Sequence, residues 1–221
     1  MNFSSPQKLA VLCDFDGTIT PGDILDILYT KFAGPECQEL AKKWFKGEIS
    51  TPAEIQGCFA SIRATRGEME SALDPVQIDL SFAGFVRFCR EQGYTFAILS
   101  DGLGWYITYI LQRYGVEGLT IYANEVEFGQ DGMLIHSPWY HPDTPLRGTS
   151  KPAIVLQYQA EGYTVVFLGD GPTDVEAVEV ADIVFAKGRL ANYCRTKGVP
   201  FTEFNTFSEV IQHWETKVTL K

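Results

Sequence analysis

The stretch Asp14-Phe15-Asp16-Gly17-Thr18 directly follows the apolar run LAVLC. Two carboxylates separated by one residue, just where a buried strand stops, can converge on one metal ion and one substrate. Asp and Gly also favour ordinary turns, but four fixed residue types placed straight after such a run are a pattern that composition alone seldom supplies. Ser100-Asp101-Gly102 follows the run FAIL. It offers a hydroxyl and backbone N–H groups at an expected helix N-terminus, a setting suited to a phosphate group and equally to a plain N-cap. Lys151 opens the amphipathic segment at 152–160. A cation at a helix start runs against the macrodipole, although a solvated lysine is the commoner reading. Asp170 and Asp174 follow the run TVVFL and stand four residues apart around a strand-to-helix turn, as a metal or catalytic pair or as a helix cap.

These residues need strands that end together. The runs at 9–14, 94–101, 164–170 and 182–188 are continuously apolar, as strands covered on both faces should be. Segments with helical periodicity lie between them, including Phe82, Phe85, Val86, Phe88 and Cys89 before the second run and Trp105, Ile107, Tyr109, Ile110 and Leu111 after it. The alternation predicts an α/β fold, a doubly wound Rossmann-like parallel sheet whose ligands bind at the carboxyl ends of its strands. The interval between the first two strands is too long for one crossover helix. Helix-start signals at 20–23, 34–36, 50–54 and 65–68, three of them with an early Pro, predict a small helical cap over 21–80, inserted into a core formed by 1–20 and 81–221. Alternating runs around GQDG predict a β-hairpin over 121–137, and the Pro-rich stretch at 138–149 reads as an ordered loop.

The 221 residues carry 28 acidic and 18 basic side chains, a formal net charge of -10. That balance argues against a general nucleic-acid binder, which holds phosphates with clustered Lys and Arg. No stretch approaches the ~18 consecutive apolar residues of a membrane span, and the first residues lack a basic start followed by a long apolar core. The expectation is a cytoplasmic protein, a monomer or homodimer, without nucleic-acid or membrane partners. Cys13, Cys37, Cys58, Cys89 and Cys194 are odd in number, scattered and without CxxC spacing. They suggest neither a disulfide framework nor a zinc site and are expected to be packing residues in a reducing compartment.

In their order, DFDGT, the Ser of ILSDG, the Lys of TSKP and GDGPTD resemble the four motifs of the haloacid dehalogenase superfamily of aspartate-nucleophile phosphatases. The resemblance runs from Asp14 to Asp182, and the insert after the first motif is placed as the cap is in the phosphoserine phosphatase-like branch. Within that branch DFDGTITPGD, GDGPTDVEAVEVADIVFAKGRLANYC and GVPFTEFNTF are most similar to methionine-salvage phosphatases. The resemblance implies a Mg²⁺-dependent phosphatase of a small phosphorylated metabolite. Asp14 would be the nucleophile and Asp16 the general acid and base. Asp14, the Asp16 carbonyl and Asp170 would hold the metal, with Asp174 behind them. Ser100, Lys151 and the N–H groups of Asp101 and Gly102 would bind the phosphoryl oxygens. Asp23 stands where phosphoserine phosphatases carry a substrate-contacting Glu, and reads either a substrate amine or hydroxyl or simply the start of the helix at 23–32. In the cap, Arg63 and Arg66 would meet a substrate carboxylate or form a solvated turn, and Phe45 and Phe59 would line an apolar pocket or the core. A phosphotransferase with an acceptor hydroxyl in place of water fits the same motifs, whereas a non-catalytic binding protein would not need Asp14, Asp16, Ser100, Lys151 and Asp170 together.

Overall fold

The computed structural model describes residues 8–130 and 132–217. The reading of the N-terminal residues 1–7 and Asp131 of the GQDG turn lie outside the described residues. The chain forms two compact units, one of residues 1–21, 78–99 and 151–221, the other of residues 22–77 and 100–150.

In the first unit, β1 (Leu9–Cys13), β2 (Thr95–Leu103, shared with the second unit), β5 (Thr164–Gly169), β6 (Ile183–Ala186) and β7 (Thr202–Glu203) lie in the order β2-β1-β5-β6-β7. β1 pairs with β2 and β5, and β6 with β5 and β7, all in parallel. β1 is buried along its whole length, which is why its sequence is apolar without alternation. Parallel strands require crossovers, here α5 (Phe82–Glu91), α7 (Lys151–Ala160), a 3-10 turn at Pro172–Asp174 leading into α8 (Val175–Val178), and α9 (Gly188–Lys197), and α10 (Phe207–Lys217) follows the last strand. Phe82 and Phe85 of α5 pack on Phe207 of α10, with ring centroids 5.0 and 5.3 Å apart, and Trp214 closes the cluster 5.8 Å from Phe85.

In the second unit the four expected helix starts are all helix starts. They open α1 (Ile24–Phe32), α2 (Glu36–Phe45), α3 (Thr51–Phe59) and α4 (Arg66–Leu73). Asp23 caps α1, Ser50 caps α3, and Thr65 with Glu68 forms a capping box on α4. α6 (Gly104–Arg113) follows β2, and β3 (Thr120–Gly129) and β4 (Gly132–His136) form the predicted antiparallel hairpin, continuing the order as β4-β3-β2. The outer backbone of β4 meets the Gln56 amide of α3, which donates to the Met133 carbonyl at 3.0 Å and accepts from Ile135 N at 2.9 Å. A side-chain amide thus stands in for a further strand and blunts a sheet edge.

One expectation about the cysteines fails here. Cys37 of α2 and Cys58 of α3 form a disulfide with an S–S distance of 2.07 Å. Their spacing across two helices of an antiparallel pair carries no CxxC-like signal, so the partnership became visible only once the helices were packed. Cys13, Cys89 and Cys194 are free and buried, as expected of packing residues. Among the described residues, no helix is long and apolar enough to cross a membrane.

Candidate active site

Asp14, Asp170 and Lys187 are the residues that directly follow β1, β5 and β6. Parallel pairing carries on to these positions: Asp14 N donates to Leu168 O at 2.9 Å and Lys187 N to Gly169 O at 3.0 Å. The carboxyl ends of three neighbouring strands therefore deliver their first non-strand residues to one edge of the sheet, where open α/β sheets bind ligands.

At that edge Lys151, the first residue of α7, is 1% exposed. Its Nζ lies 2.6 Å from Asp14 Oδ1 and 2.6 Å from Asp174 Oδ1. Burial alone would lower the pKa of this ammonium, but the Asp14 and Asp174 charges outweigh it and hold the group above its ordinary value. The cation at a helix start thus answers two buried carboxylates. Asp174 Oδ2 accepts from the N–H groups of Asp170 and Gly171 at 3.1 and 3.0 Å, fixing the turn that presents Asp170. Asp170 Oδ1 accepts from Thr18 Oγ1 at 3.0 Å, and the Lys187 ammonium donates to the Thr18 carbonyl at 2.9 Å. Gly17 lies between, at φ +82°, and a Cβ there would come within 2.5 Å of the Asp170 carboxylate. Only glycine combines that backbone conformation with that closeness.

Asp14, Asp170 and Asp174 offer carboxylate oxygens that all lie within 4.8 Å of one another. Burial first, then the charge of Asp174, push the carboxyl groups of Asp14 and Asp170 up from their usual range. One buried ammonium does not balance three carboxylates, and an all-oxygen donor set with surplus negative charge suits a hard divalent cation. Asp174 is already committed to Lys151 and two N–H groups, so Asp14 and Asp170 are the side chains fitted to a metal. Asp16 lies half-buried in the same turn.

The remaining sequence candidates fall in the second unit. Ser100, Asp101 and Gly102 are buried and still within β2, because the strand runs on to Leu103 and α6 starts at Gly104. The expected helix N-terminus at Ser100 is therefore displaced by four residues. The Gly102 N–H donates to Ser100 Oγ at 3.0 Å. Asp23 Oδ1 accepts from Leu25 N at 2.9 Å as the α1 cap. Arg63 donates to the carbonyls of Ala60 and Ile62 at the end of α3, and Arg66 pairs with Glu70 at 2.7 Å, so both guanidinium groups are engaged locally. Phe59 is core, in an edge contact with Tyr29, whereas Phe45 is 73% exposed. Lys187 was not among the sequence candidates; its signal was there, a lysine at the end of the apolar run DIVFA, in the same strand-end position as Asp14 and Asp170.

A doubly wound sheet with an Asp/Lys cluster of this kind at its strand ends defines a class of hydrolase, and the chain belongs to the haloacid dehalogenase-like hydrolase family, which it matches over residues 11–179. It is 30% identical over 217 residues to a 2-hydroxy-3-keto-5-methylthiopentenyl-1-phosphate phosphatase of Exiguobacterium sibiricum, covering 95% of this chain and 98% of that one. A protein of the same name from Bacillus mycoides is 28% identical over 211 residues, 93% of this chain and 95% of its own. Among solved structures a substrate-bound phosphoserine phosphatase shares the fold with a TM-score of 0.71 at 17% identity, over 95% of this chain and 99% of that chain.

Proposed function

We propose that this hydrolase is a Mg²⁺-dependent phosphatase that cleaves a phosphate monoester of a small metabolite through an aspartyl phosphate on Asp14. The observation that carries the reading is the buried contact of Lys151 Nζ with both Asp14 and Asp174 at 2.6 Å, next to Asp170. It holds a carboxylate nucleophile beside a fixed positive charge where a phosphoryl group would bring three more oxygens.

An Asp14 carboxylate oxygen attacks phosphorus while the bond to the ester oxygen breaks, and Asp16 gives its proton to the departing alkoxide. Water then attacks the phosphorus of the acyl phosphate, Asp16 takes its proton, and the Asp14 carboxylate returns with release of inorganic phosphate. Splitting one displacement into two is the advantage of covalent catalysis. Asp14, Asp170 and the Asp16 carbonyl would hold Mg²⁺. When bound, the cation neutralises phosphate charge that would otherwise repel the carboxylates. Lys151 supplies the fixed charge that positions phosphoryl oxygens, and Asp174 orients Lys151. Ser100, within β2, would hold a further phosphoryl oxygen together with the Asp101 N–H. Gly102 gives its own N–H to Ser100 Oγ and so orients that hydroxyl.

The nearly end-to-end relatives favour a substrate of the 2-hydroxy-3-keto-5-methylthiopentenyl-1-phosphate type, in methionine salvage. A cytoplasmic setting fits the free thiols of Cys13, Cys89 and Cys194, while the Cys37–Cys58 disulfide runs against a uniformly reducing one. Phosphate release over phosphorylated ketoses, amino acids and amino alcohols, ranked by kcat/KM, tests the reading. Activity should vanish with a chelator and return with Mg²⁺, and undiminished release by metal-free protein would remove the cation from the scheme. Partition of the phosphoryl group between water and added alcohols separates hydrolysis from transfer, and dominant transfer would replace the phosphatase by a phosphotransferase.

A further inference from the structure

Lys187, half-buried at the end of β6, ties together the two turns that carry Asp14 and Asp170. Its backbone N–H donates to the Gly169 carbonyl at 3.0 Å, directly before Asp170, and its ammonium donates to the Thr18 carbonyl at 2.9 Å in the turn after Asp14. In that turn the N–H groups of Thr18, Ile19 and Thr20 all donate to the Phe15 carbonyl, at 3.2, 2.8 and 3.2 Å. These bonds close the turn on itself, and the Lys187 ammonium links it to the end of β6. The same ammonium lies 5.5 Å from the centroid of the buried Phe204 ring, a cation–π contact that favours one path for a long side chain.

Thr18 is 0% exposed, and its hydroxyl donates to Asp170 Oδ1 at 3.0 Å. The Asp170 backbone is fixed on both sides, its carbonyl accepting from Leu190 N at 2.8 Å and its N–H donating to Asp174. Among the described residues the Asp170 carboxylate has Thr18 as its one hydrogen-bond donor. A neutral hydroxyl orients a carboxylate without cancelling its charge, which is what a ligand awaiting a cation needs.

We propose that Lys187 is a positioning residue for the metal site: it fixes Thr18, and through the Thr18 hydroxyl it sets the rotamer in which Asp170 receives the divalent cation. The proposal rests on the assignment of Asp170 as a metal ligand in the phosphatase reading and deepens it. Charge alone would act with the opposite sign. An ammonium joined to Asp170 through one threonine repels Mg²⁺, so its removal should tighten binding unless geometry is lost.

The test is Mg²⁺ binding, measured by titration calorimetry on the full-length protein without substrate. Lys187→Met keeps an apolar stem and removes the donor, and Thr18→Val removes the hydroxyl at nearly constant shape. Each should raise the dissociation constant about tenfold, while Thr18→Ser stays within about threefold of wild type. The two substitutions combined should lose no more than the worse of the singles, because both act along one path. An unchanged or lower dissociation constant in folded Lys187→Met would overturn the positioning role, and so would losses that multiply in the double variant. Lys187→Gln, shorter and uncharged, takes the same criterion where Lys187→Met does not fold. Absence of Mg²⁺ binding by the wild-type protein would overturn the metal assignment and this proposal with it. Phosphate release is read separately on the same preparations, so a failure of the phosphatase reading is told apart from a failure of this one.

Discussion

Asp14, just beyond β1, and Asp101, within the last turn-prone stretch of β2, are both buried carboxylates, 4% and 6% exposed, and their surroundings differ in kind. Asp101 accepts from two backbone N–H groups on one carboxylate oxygen and from the Thr51 hydroxyl on the other. These bonds tie it to the backbone of 148–149 and to α3, the setting of a structural clamp. Asp14 is met by an ammonium that it shares with Asp174, and Asp170 adds a third carboxylate to the cluster. Charge there is deliberately unbalanced in the protein alone. Hydrogen bonds to the backbone fix geometry; charge imbalance leaves something for a cation and a substrate to complete. Catalytic groups are found in settings of the second kind.

The largest expected effect that breaks this contrast is on turnover. Asp14→Asn keeps the size of the side chain and removes the nucleophile, and phosphate release should fall by at least about a thousandfold in protein with native near-UV circular dichroism. Retained release would place the nucleophile elsewhere and return Asp14 to the structural class of Asp101. Next in size is Lys151→Met, which leaves two buried carboxylates without their common cation. Removing one partner of such a pair costs about 3–5 kcal/mol, read as a lowered denaturant midpoint at unchanged slope. Added Mg²⁺ should recover part of that loss if the imbalance is what a cation relieves. A Lys151→Met variant as stable as the wild type would show that the ammonium is not what holds the cluster.

Much of this contrast was legible in the sequence, and the unread part has a physical cause. Asp14, Asp170 and Lys151 stand at strand ends and a helix start, which periodicity and turn chemistry locate, and the four helix starts at Asp23, Pro35, Ser50 and Thr65 were visible for the same local reason. Lys187 carried the same strand-end signal, unread because a single lysine after an apolar run is common. The end of β2 was misplaced because Ser and Gly favour turns, yet the chain stays extended through Leu103 with Asp101 and Asn124 binding each other. No local pattern encodes that partner across 23 positions. The Cys37–Cys58 bond and the Thr51–Asp101 bond, 21 and 50 residues apart, were hidden likewise.

Glu54 of α3 sharpens the comparison from a third side, because it is buried with neither a cation nor a set of N–H donors. It is 6% exposed and accepts one hydrogen bond, from Tyr29 Oη at 2.9 Å. Burial, with help from the Asp26 charge and against the Tyr29 bond, raises its pKa from 4.5 to about 7. Between those two values the folded protein binds a proton that the unfolded chain has lost. Stability therefore falls as pH rises through this window and levels off above about 7, with a total contribution on the order of 3 kcal/mol. Glu54→Gln removes the titration while keeping an acceptor for Tyr29. The variant should lose the part of the melting-temperature decline between pH 5 and 7 that belongs to Glu54, and be the more stable protein at pH 8. Asp14 and Asp170 shift in the same direction, so the deciding quantity is the difference between wild type and variant across the pH series. Parallel curves would mean that Glu54 is ionised in the folded protein at pH 5, with the Tyr29 hydroxyl alone sustaining the charge.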